Sequence, residues 1–381
     1  MFHILRALVC LFVLSEIVCA QAGSLPPSWK EKTFPIPVVP AERAFTKMAN
    51  GYIWTFPHML LKEEQGVNAV RLHSLSDDSE SQVSLWLDGA NAIWLEDVTV
   101  AEDQKLLFVG SELVVEAARR GMRPGLEEKS ESNFLIAKDF VDRTVFSVDL
   151  GRYEATQVCA AGDGTIWVLG QDVGAEADGR PYQLLRKYSM TGTLLRSYLD
   201  RTEIHSPALV LSLRRRLGEK ALGRVILRCG EQSVGAYIGS SQTWTEVRLN
   251  DGTTKTWNLV LPAPRAKVTG LALLGDHVVY ASFAIMPAVK DPGVDLFVDK
   301  RQSEAFAAQY DTNRNLVRGL YVLNFGRESK AIWKEVPGTV SVANAPGSFV
   351  RLMGNDGSHL VYLRTSEEPE GGSPTLSWVK P

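Results

Sequence analysis

The chain has 381 residues, of which 45% are hydrophobic and 22% charged, and its formal net charge is −3. These values are typical of globular proteins and exclude bulk disorder, collagen-like repeats and coiled coil. The charge balance also excludes a molecule drawn as a whole to nucleic acid. The length suits two or three ordinary domains or one large all-β domain.

Residues 1–22 predict a signal peptide. Arg6 precedes an apolar run from 7 to 14, and small residues then offer cleavage after Ala20 or Ala22. The run is too short to span a bilayer, and Glu16 interrupts it. The sequence lacks Asn-x-Ser/Thr sites, which is typical of a bacterial, unglycosylated protein. We therefore expect an exported protein, periplasmic or extracellular, with no transmembrane segment after cleavage.

Residues 23–42 form a proline-rich N-terminal arm. Its prolines exclude a helix and favour an extended or edge strand; they are Pro26, Pro27, Pro35, Pro37 and Pro40. We expect Phe34–Val39 to add an outer strand beside residues 376–379, near the end of the chain.

The clearest repeat unit lies between residues 155 and 199. A strand over 155–159 leads into the turn Gly162-Asp-Gly164, because glycine tolerates the backbone conformation that a tight turn needs. Further strands are predicted over 165–169, 183–188 and 193–199. Four consecutive antiparallel strands form a sheet of the size of one propeller blade.

Weaker copies of this unit recur along the chain. The second-strand positions span 296 residues in five steps, a mean of about 59; they are Trp54, Phe108, Trp167, Tyr237, Tyr280 and Val350. A regular period in β-patterned sequence indicates a radial array, because one blade cannot bury both faces alone. Residues 43–381 are therefore predicted to be all-β, a six-bladed β-propeller of four-stranded antiparallel blades. The alternative is a pair of β-sandwich domains.

The unit over 155–199 also resembles a known repeat. The stretch Asp163-Gly-Thr-Ile-Trp-Val and the later Lys187-Tyr and Thr191-Gly192 resemble the NHL repeat of six-bladed β-propellers. The resemblance implies the fold and leaves the function open, since propellers serve many unrelated roles.

Two insertions interrupt the predicted repeat, and we expect partners to bind there. Ser206 as N-cap and Pro207 as first residue predict a short helix over 206–220. Its polar face carries the candidate partner-binding residues Arg214, Arg215 and Arg216; the alternative is a solvated helix face. A second insertion covers 288–308, and the polar stretch 116–132 is expected to be a solvated loop.

Cys159 and Cys229 remain after removal of the signal peptide. Each lies eight residues before an aromatic second-strand residue, so the two occupy equivalent places in adjacent units. An exported protein can join them in a disulfide if their Cα atoms lie within about 7 Å. Neighbouring first strands are expected to diverge beyond that distance. A disulfide and two separate buried thiols both stay open.

Local catalytic and metal-binding motifs are absent from the sequence. The histidines are not paired at metal-ligand spacing, and no nucleophile elbow, P-loop or dinucleotide motif occurs. We assign no catalytic residue, no cofactor and no metal ligand, although a divalent metal in a propeller channel would need no local motif. Asp291, Asp295 and Asp299 are interpreted as solvated charges.

These observations favour an exported β-propeller that acts as a non-enzymatic binding or scaffolding protein. Its ligand is unknown, and its partner would be a protein or a glycan. The alternative is a metal-dependent hydrolase similar to the six-bladed lactonase and gluconolactonase group. That group holds a divalent cation with Glu, Asn and Asp side chains from different blades. Its early Glu-Gly-Pro motif has no match in this chain.

Overall fold

Antiparallel strands make up almost all of the regular structure in the computed structural model. The structure describes residues 30–33, 44–57, 59–61, 68–87, 89–90, 92–117, 126–201, 225–239, 241–262, 266–275, 278–285, 320–326, 329–336, 348–366 and 375–380. Within these ranges it contains strands β1 to β25 and one short helix, α1.

The first half of the chain forms three sheets in sequence order. The first contains β2 Ala44–Ala49, β3 Tyr52–Pro57, β5 Ala69–Ser74 and β6 Glu80–Ser84. The second contains β7 Ala92–Val100, β8 Lys105–Ala117, β9 Leu126–Asp139 and β10 Thr144–Gly151, with β4 Met59–Leu61 paired to the free edge of β7. The third contains β11 Tyr153–Ala160, β12 Ile166–Asp172, β13 Gln183–Tyr188 and β14 Leu194–Asp200.

The second half forms an eight-stranded sheet and a closing sheet. The eight-stranded sheet has two antiparallel halves. One is β15 Val225–Cys229, β16 Ser233–Ile238, β17 Thr243–Arg248 and β18 Thr254–Val260; the other is β19 Ala266–Leu274, β20 Val278–Ile285, β21 Tyr321–Phe325 and β22 Lys330–Glu335. A short parallel pairing of β18 with β22 joins them. The closing sheet contains β23 Ser348–Asn355, β24 Leu360–Ser366 and β25 Thr375–Val379.

The N-terminal strand β1, Lys30–Thr33, pairs antiparallel with β25 and becomes the outer strand of the closing sheet. Chain closure by the N-terminal arm thus occurs, but earlier in the sequence than expected. The predicted strand over Phe34–Val39 lies outside the described residues.

Tight turns set the register of the hairpins. Asn50 and Gly51, with φ values of 49° and 76°, connect β2 to β3. Two consecutive positive φ angles match the right-handed twist of the flanking strands, and Asn-Gly tolerates them best. The turn between β11 and β12 contains Gly164 at φ 73°, and its N–H donates to the Ala161 carbonyl at 2.9 Å. The predicted strands over 155–199 are confirmed here to within three residues at each end.

Successive units pack through their first strands and through apolar clusters. The first strands β2, β7, β11, β15, β19 and β23 contact one another in this order, and β23 contacts β2 again. In the described residues the core is divided into six clusters, each between one unit and the next. Meander sheets packed face to face around a closed ring are the β-propeller architecture, so the all-β propeller prediction is confirmed.

The structure differs from the sequence-based expectation at two connections. β8 continues to Ala117 and pairs with β9 as far as Leu126, so the solvated loop expected over 116–132 is wrong for the described part. The cross-strand hydrogen bonds satisfy the backbone of these polar residues, which their composition could not reveal. Residues 173–178 form α1, Val173–Asp178, where a loop was expected; the Asp172 side chain accepts from the Ala175 N–H at 2.9 Å.

Candidate functional site: the central channel

Asp97 is a fully buried carboxylate that joins three first strands. Its Oδ1 accepts from the Lys47 ammonium on β2, and its Oδ2 accepts from the Val158 N–H on β11 at 3.0 Å. The Val98 N–H also donates to Oδ1, at 2.7 Å. A buried charge is tolerated when it is paired and hydrogen-bonded in this way. Asp97 therefore fixes β2, β7 and β11 relative to one another at the channel.

A β-bulge directs Asp97 into this position. The pairing of β7 with β8 skips Glu96, which lies between Leu95 and Asp97. The same irregularity recurs in three other first strands, at Thr156, Thr269 and Met353. One extra residue reverses the alternation of side chains and so re-aims the residue that follows. On β11 that residue is Gln157, whose Oε1 accepts from the Lys47 ammonium at 3.5 Å.

Arg228 contributes a second cation from the other side of the ring. It lies on β15 opposite Gly235, and its Nε donates to the Leu271 carbonyl on β19 at 2.6 Å. Its Nη1 donates to the Leu227 carbonyl at 3.0 Å. These bonds to backbone oxygens hold the guanidinium between two first strands while it keeps its positive charge, since arginine is not deprotonated in proteins.

A cavity of about 70 Å³ lies among the first strands. Its lining includes Thr46, Lys47, Thr99 and Arg228, together with both cysteines, Cys159 and Cys229. Among the described residues, the charged side chains that line it are Lys47 and Arg228. This volume holds two or three water molecules, or a ligand of a few heavy atoms.

Trp54 also lines this cavity and lies directly opposite Lys47 in the pairing of β2 with β3. Its side chain is 2% exposed, and its indole N–H has no acceptor among the described residues. Buried donors in proteins are almost always satisfied, by protein or by water. Trp54 also belongs to the apolar cluster between the first and second sheets.

The structure joins Cys159 and Cys229 in a disulfide with a Cα–Cα distance of 5.8 Å. The bridge connects β11 with β15, which are adjacent first strands at the cavity. The expected divergence of these strands does not occur where the cysteines lie. Both cysteines are near the ends of their strands, and the turns that follow approach each other there. The Gly162 N–H in one turn donates to the Gly230 carbonyl in the other at 3.2 Å.

A shallower surface pocket lies beside the same two turns. It is lined by Asp163, Glu231 and Arg248 with their neighbours. Burial raises the pKa of Asp163, but hydrogen bonds from Lys187 and Thr165 outweigh it and hold the pKa below its usual range. The Lys187 ammonium lies 2.8 Å from Asp163 Oδ2. Asp163 is thus part of a fixed surface ion pair.

The residues singled out from sequence are distributed unevenly in the structure. Cys159, Cys229 and Trp54 meet at the cavity, whereas Arg214, Arg215 and Arg216 and the helix over 206–220 lie outside the described residues. So do Asp291, Asp295 and Asp299. Among the residues that the structure describes, no group of three or more His, Cys, Asp or Glu side chains is placed to hold a metal ion.

Sequence analysis missed Lys47, Asp97, Gln157 and Arg228. Arg228 directly precedes Cys229, as Val158 precedes Cys159, so its position in the repeat was the one signal that could have indicated it. Asp97 carried no such signal, because the bulge at Glu96 shifts the strand out of the simple alternation that sequence patterns reveal.

No family model matches the chain, and no curated protein matches it. Solved structures with a similar fold include a catalytically inactive virginiamycin B lyase from Staphylococcus aureus with quinupristin (9% identity, TM-score 0.40, 92% of this chain and 99% of that one). They also include the calcium-binding protein regucalcin from Agrobacterium tumefaciens (10% identity, TM-score 0.40, 88% of this chain and 88% of that one). A chain of the mitotic checkpoint complex is similar as well (8% identity, TM-score 0.39, 94% of this chain and 97% of that one). Likenesses at this level carry no argument about function.

None of the helices in the described part of the chain has the length and apolar character needed to cross a bilayer.

Proposed function

We propose that this protein is an exported, non-enzymatic binding protein whose ligand occupies the cavity in the propeller channel. The observation that carries the proposal is the pair of cations, Lys47 and Arg228, that line the cavity and are anchored by their own hydrogen bonds. Charged groups held in place before the ligand arrives bind it with little ordering cost. Such a cavity suits recognition of a small polar molecule.

The propeller of this proposal has six blades. The eight-stranded sheet counts as two blades, because its antiparallel halves meet through three parallel residue pairs between their outer strands. The six apolar clusters between successive units support the same count. A ring of six also leaves a narrow channel, which agrees with the small volume of the cavity.

Export is the second part of the proposal. The signal-peptide pattern of residues 1–22 favours it, and the Cys159–Cys229 disulfide is typical of proteins that fold in an oxidising compartment. We expect the mature chain to begin at residue 21 or 23, which mass spectrometry of the protein recovered from its native compartment would measure. A mature chain that still begins at Met1 would contradict export by this route.

Docking to a larger partner is the third part. Arg214, Arg215 and Arg216 are proposed to contact an acidic protein or glycan. Changing all three to Ala should abolish retention on such a partner and leave ligand binding in the channel unchanged. Retention of the partner by the triple variant would exclude this role.

The channel proposal is tested by thermal unfolding in a panel of small molecules that differ in charge. A ligand that binds the folded state raises the melting temperature. Ala160 lines the cavity, so Ala160→Leu should fill it and abolish the shift. The exposed Ala177 on α1 provides the matched control, and Ala177→Leu should retain the shift. An equal shift in both variants would place the ligand elsewhere and overturn the proposal.

A further inference from the structure

We infer that the surface pocket between the third sheet and the β15–β18 unit is a binding site for a neutral polyhydroxyl ligand, a mono- or disaccharide. The pocket shares no lining residue with the channel cavity, so this inference goes beyond the proposed function. It depends on how the walls of the pocket are joined, on which of its polar groups are already paired, and on its volume.

Two units build the pocket, and close contacts hold them together. Asp163 comes from the turn between β11 and β12, whereas the other lining residues come from the turns of the β15–β18 unit. The Cys159–Cys229 disulfide joins the strands that lead into these turns. The turns themselves touch, since a Cβ at Gly162 would lie 2.8 Å from the Glu231 Cα. The walls are thus held in place before a ligand arrives, which lowers the ordering cost of binding.

The turn between β17 and β18 is fixed in the same way. The Leu249 N–H donates to the Gln232 carbonyl at 2.8 Å, which ties the two turns of this unit to each other. Gly252 in the same turn lies against the third sheet, because a Cβ there would be 3.1 Å from the Tyr198 hydroxyl. The Leu249 side chain packs against the apolar cluster between the two units. Leu249 therefore gives the pocket an apolar surface that the core supports.

Most of the charge in the pocket is already balanced. The Asp163 carboxylate lies 2.8 Å from the Lys187 ammonium. Hydrogen bonds from Thr253 lower the pKa of Asp251, and the positive charge of Arg248 lowers it further, so Arg248 has an anion nearby. The remaining charged group of the lining is one exposed carboxylate. An exposed carboxylate contributes little through a salt bridge, so charge alone would not select the ligand.

Three lining side chains keep free hydrogen-bonding capacity. Those of Glu231, Gln232 and Asn250 form no hydrogen bond with another residue that the structure describes. The carboxylate only accepts, whereas each side-chain amide both donates and accepts. The hydroxyl groups of a sugar also donate and accept, so they can use all three side chains. An anion would use only the donors, and an ammonium group would use only the acceptors.

The volume of the pocket suits such a ligand. It is about 490 Å³, within the range of roughly 300–1,000 Å³ found for pockets that hold drug-sized molecules. A mono- or disaccharide fits this range, and Leu249 offers contact to the C–H face of a sugar ring. The channel cavity, at about 70 Å³, is several times too small for the same ligand.

Isothermal titration of the mature, disulfide-bonded protein tests the inference at constant ionic strength. The neutral probes are maltose and N-acetylglucosamine, and the charged probes are glucosamine, which carries an ammonium group, and glucuronate. We expect a neutral probe to bind saturably at one site per chain, and neither charged probe to bind more tightly than it does. Tighter binding of glucosamine or glucuronate, or no saturable binding of either neutral probe, would overturn the inference.

Three variants locate the bound sugar. Asn250→Ala should weaken the neutral probe at least tenfold, whereas Asn324→Ala, at an exposed asparagine on β21, should leave its affinity unchanged. Ala160→Leu, which fills the channel cavity, should also leave it unchanged. Equal weakening by the two asparagine variants would overturn the inference.

The proposed function is decided separately. Loss of sugar binding in Ala160→Leu but not in Asn250→Ala would place the sugar in the channel, which would overturn the surface site and support the channel proposal. Saccharides are kept out of the thermal panel that tests the channel, so a shift in that panel does not report on the surface pocket.

Discussion

The two halves of the channel wall join neighbouring first strands by different chemistry. Between β2, β7 and β11 the link is a buried charge, because Asp97 accepts from Lys47 and from the Val158 N–H. Between β23 and the hairpin of β19 and β20 the link is neutral and close. The Leu352 N–H donates to Ser282 Oγ at 3.1 Å, and Gly270 lies against the backbone of Leu352.

This contrast shows what each half tolerates. A buried ion pair holds its neighbours in one geometry, but removing either charge leaves the other one buried without a partner and destabilises the fold. A close backbone contact needs no charge, but an added side-chain atom forces the two backbones apart and destabilises the fold. The charged half also presents Lys47 to the cavity, so the same electrostatic link both holds the strands and offers a charge to a ligand.

The largest effect is expected from removing the buried charge. Asp97→Ala leaves the Lys47 ammonium and the Val158 N–H without their acceptor, which should lower the free energy of unfolding by about 3–5 kcal/mol. Equilibrium unfolding in urea measures the change. Asp103→Ala, which breaks the solvent-exposed pair with Lys105, is the control and should change stability by less than about 1 kcal/mol. Similar losses in both variants would remove the special role of Asp97.

The disulfide stands at the boundary between the two halves. Changing both Cys159 and Cys229 to Ser should lower stability by about 4 kcal/mol, because the bridge closes a loop of 70 residues and restricts the unfolded chain. Urea unfolding of the wild-type protein with added reductant should show the same loss. The double variant should be insensitive to reductant. A wild-type curve that does not respond to full reduction would contradict a stabilising bridge.

The neutral half should respond to added volume. A Cβ at Gly270 would lie 2.0 Å from the Leu352 carbonyl oxygen, so Gly270→Ala must displace backbone and should destabilise by about 1–3 kcal/mol. Gly354→Ala is the matched control in the closing sheet, where the nearest atom is 3.3 Å away and a small adjustment suffices. Thermal unfolding compares the two. If Gly354→Ala proves the more damaging, close packing of β19 on β23 is not what joins these units.

Alkaline pH should affect both halves, through one buried phenol in each. Burial raises the pKa of Tyr153 and of Tyr362 well above the usual value of 10. Because the folded state favours the neutral phenol, this contribution is fully present below pH 10 and is lost as the pH rises further. Tyr153→Phe and Tyr362→Phe should each flatten the fall in melting temperature above pH 10. An unchanged alkaline profile in both variants would exclude these phenols as its cause.

The fold was largely predictable from sequence because its units repeat. The glycine turn before Trp167 and the equivalent places of Cys159 and Cys229 identified the strands and placed the cysteines in adjacent units. The bridge itself was not predictable, since it depends on how closely β11 and β15 approach at their ends. The short helix α1 was missed because six residues are too few to show a helical period.

The candidate site was much less predictable. Lys47, Asp97 and Arg228 lie on three different first strands, so no local motif contains them. Side chains on a strand alternate between its two faces, and the extra residue Glu96 shifts this alternation just before Asp97. The sequence pattern therefore does not indicate which way Asp97 faces. Arg214, Arg215 and Arg216 formed the most conspicuous charge feature of the sequence, yet it is single cations from separate units that meet at the cavity.

Thermal unfolding of the mature protein in the panel of small molecules, alongside Ala160→Leu and Ala177→Leu, tests the central claim that the channel cavity is a binding site most directly. The account predicts that a member of the panel raises the melting temperature of the wild-type protein and of Ala177→Leu but not that of Ala160→Leu. Equal shifts in all three proteins, or no shift with any member, would contradict it.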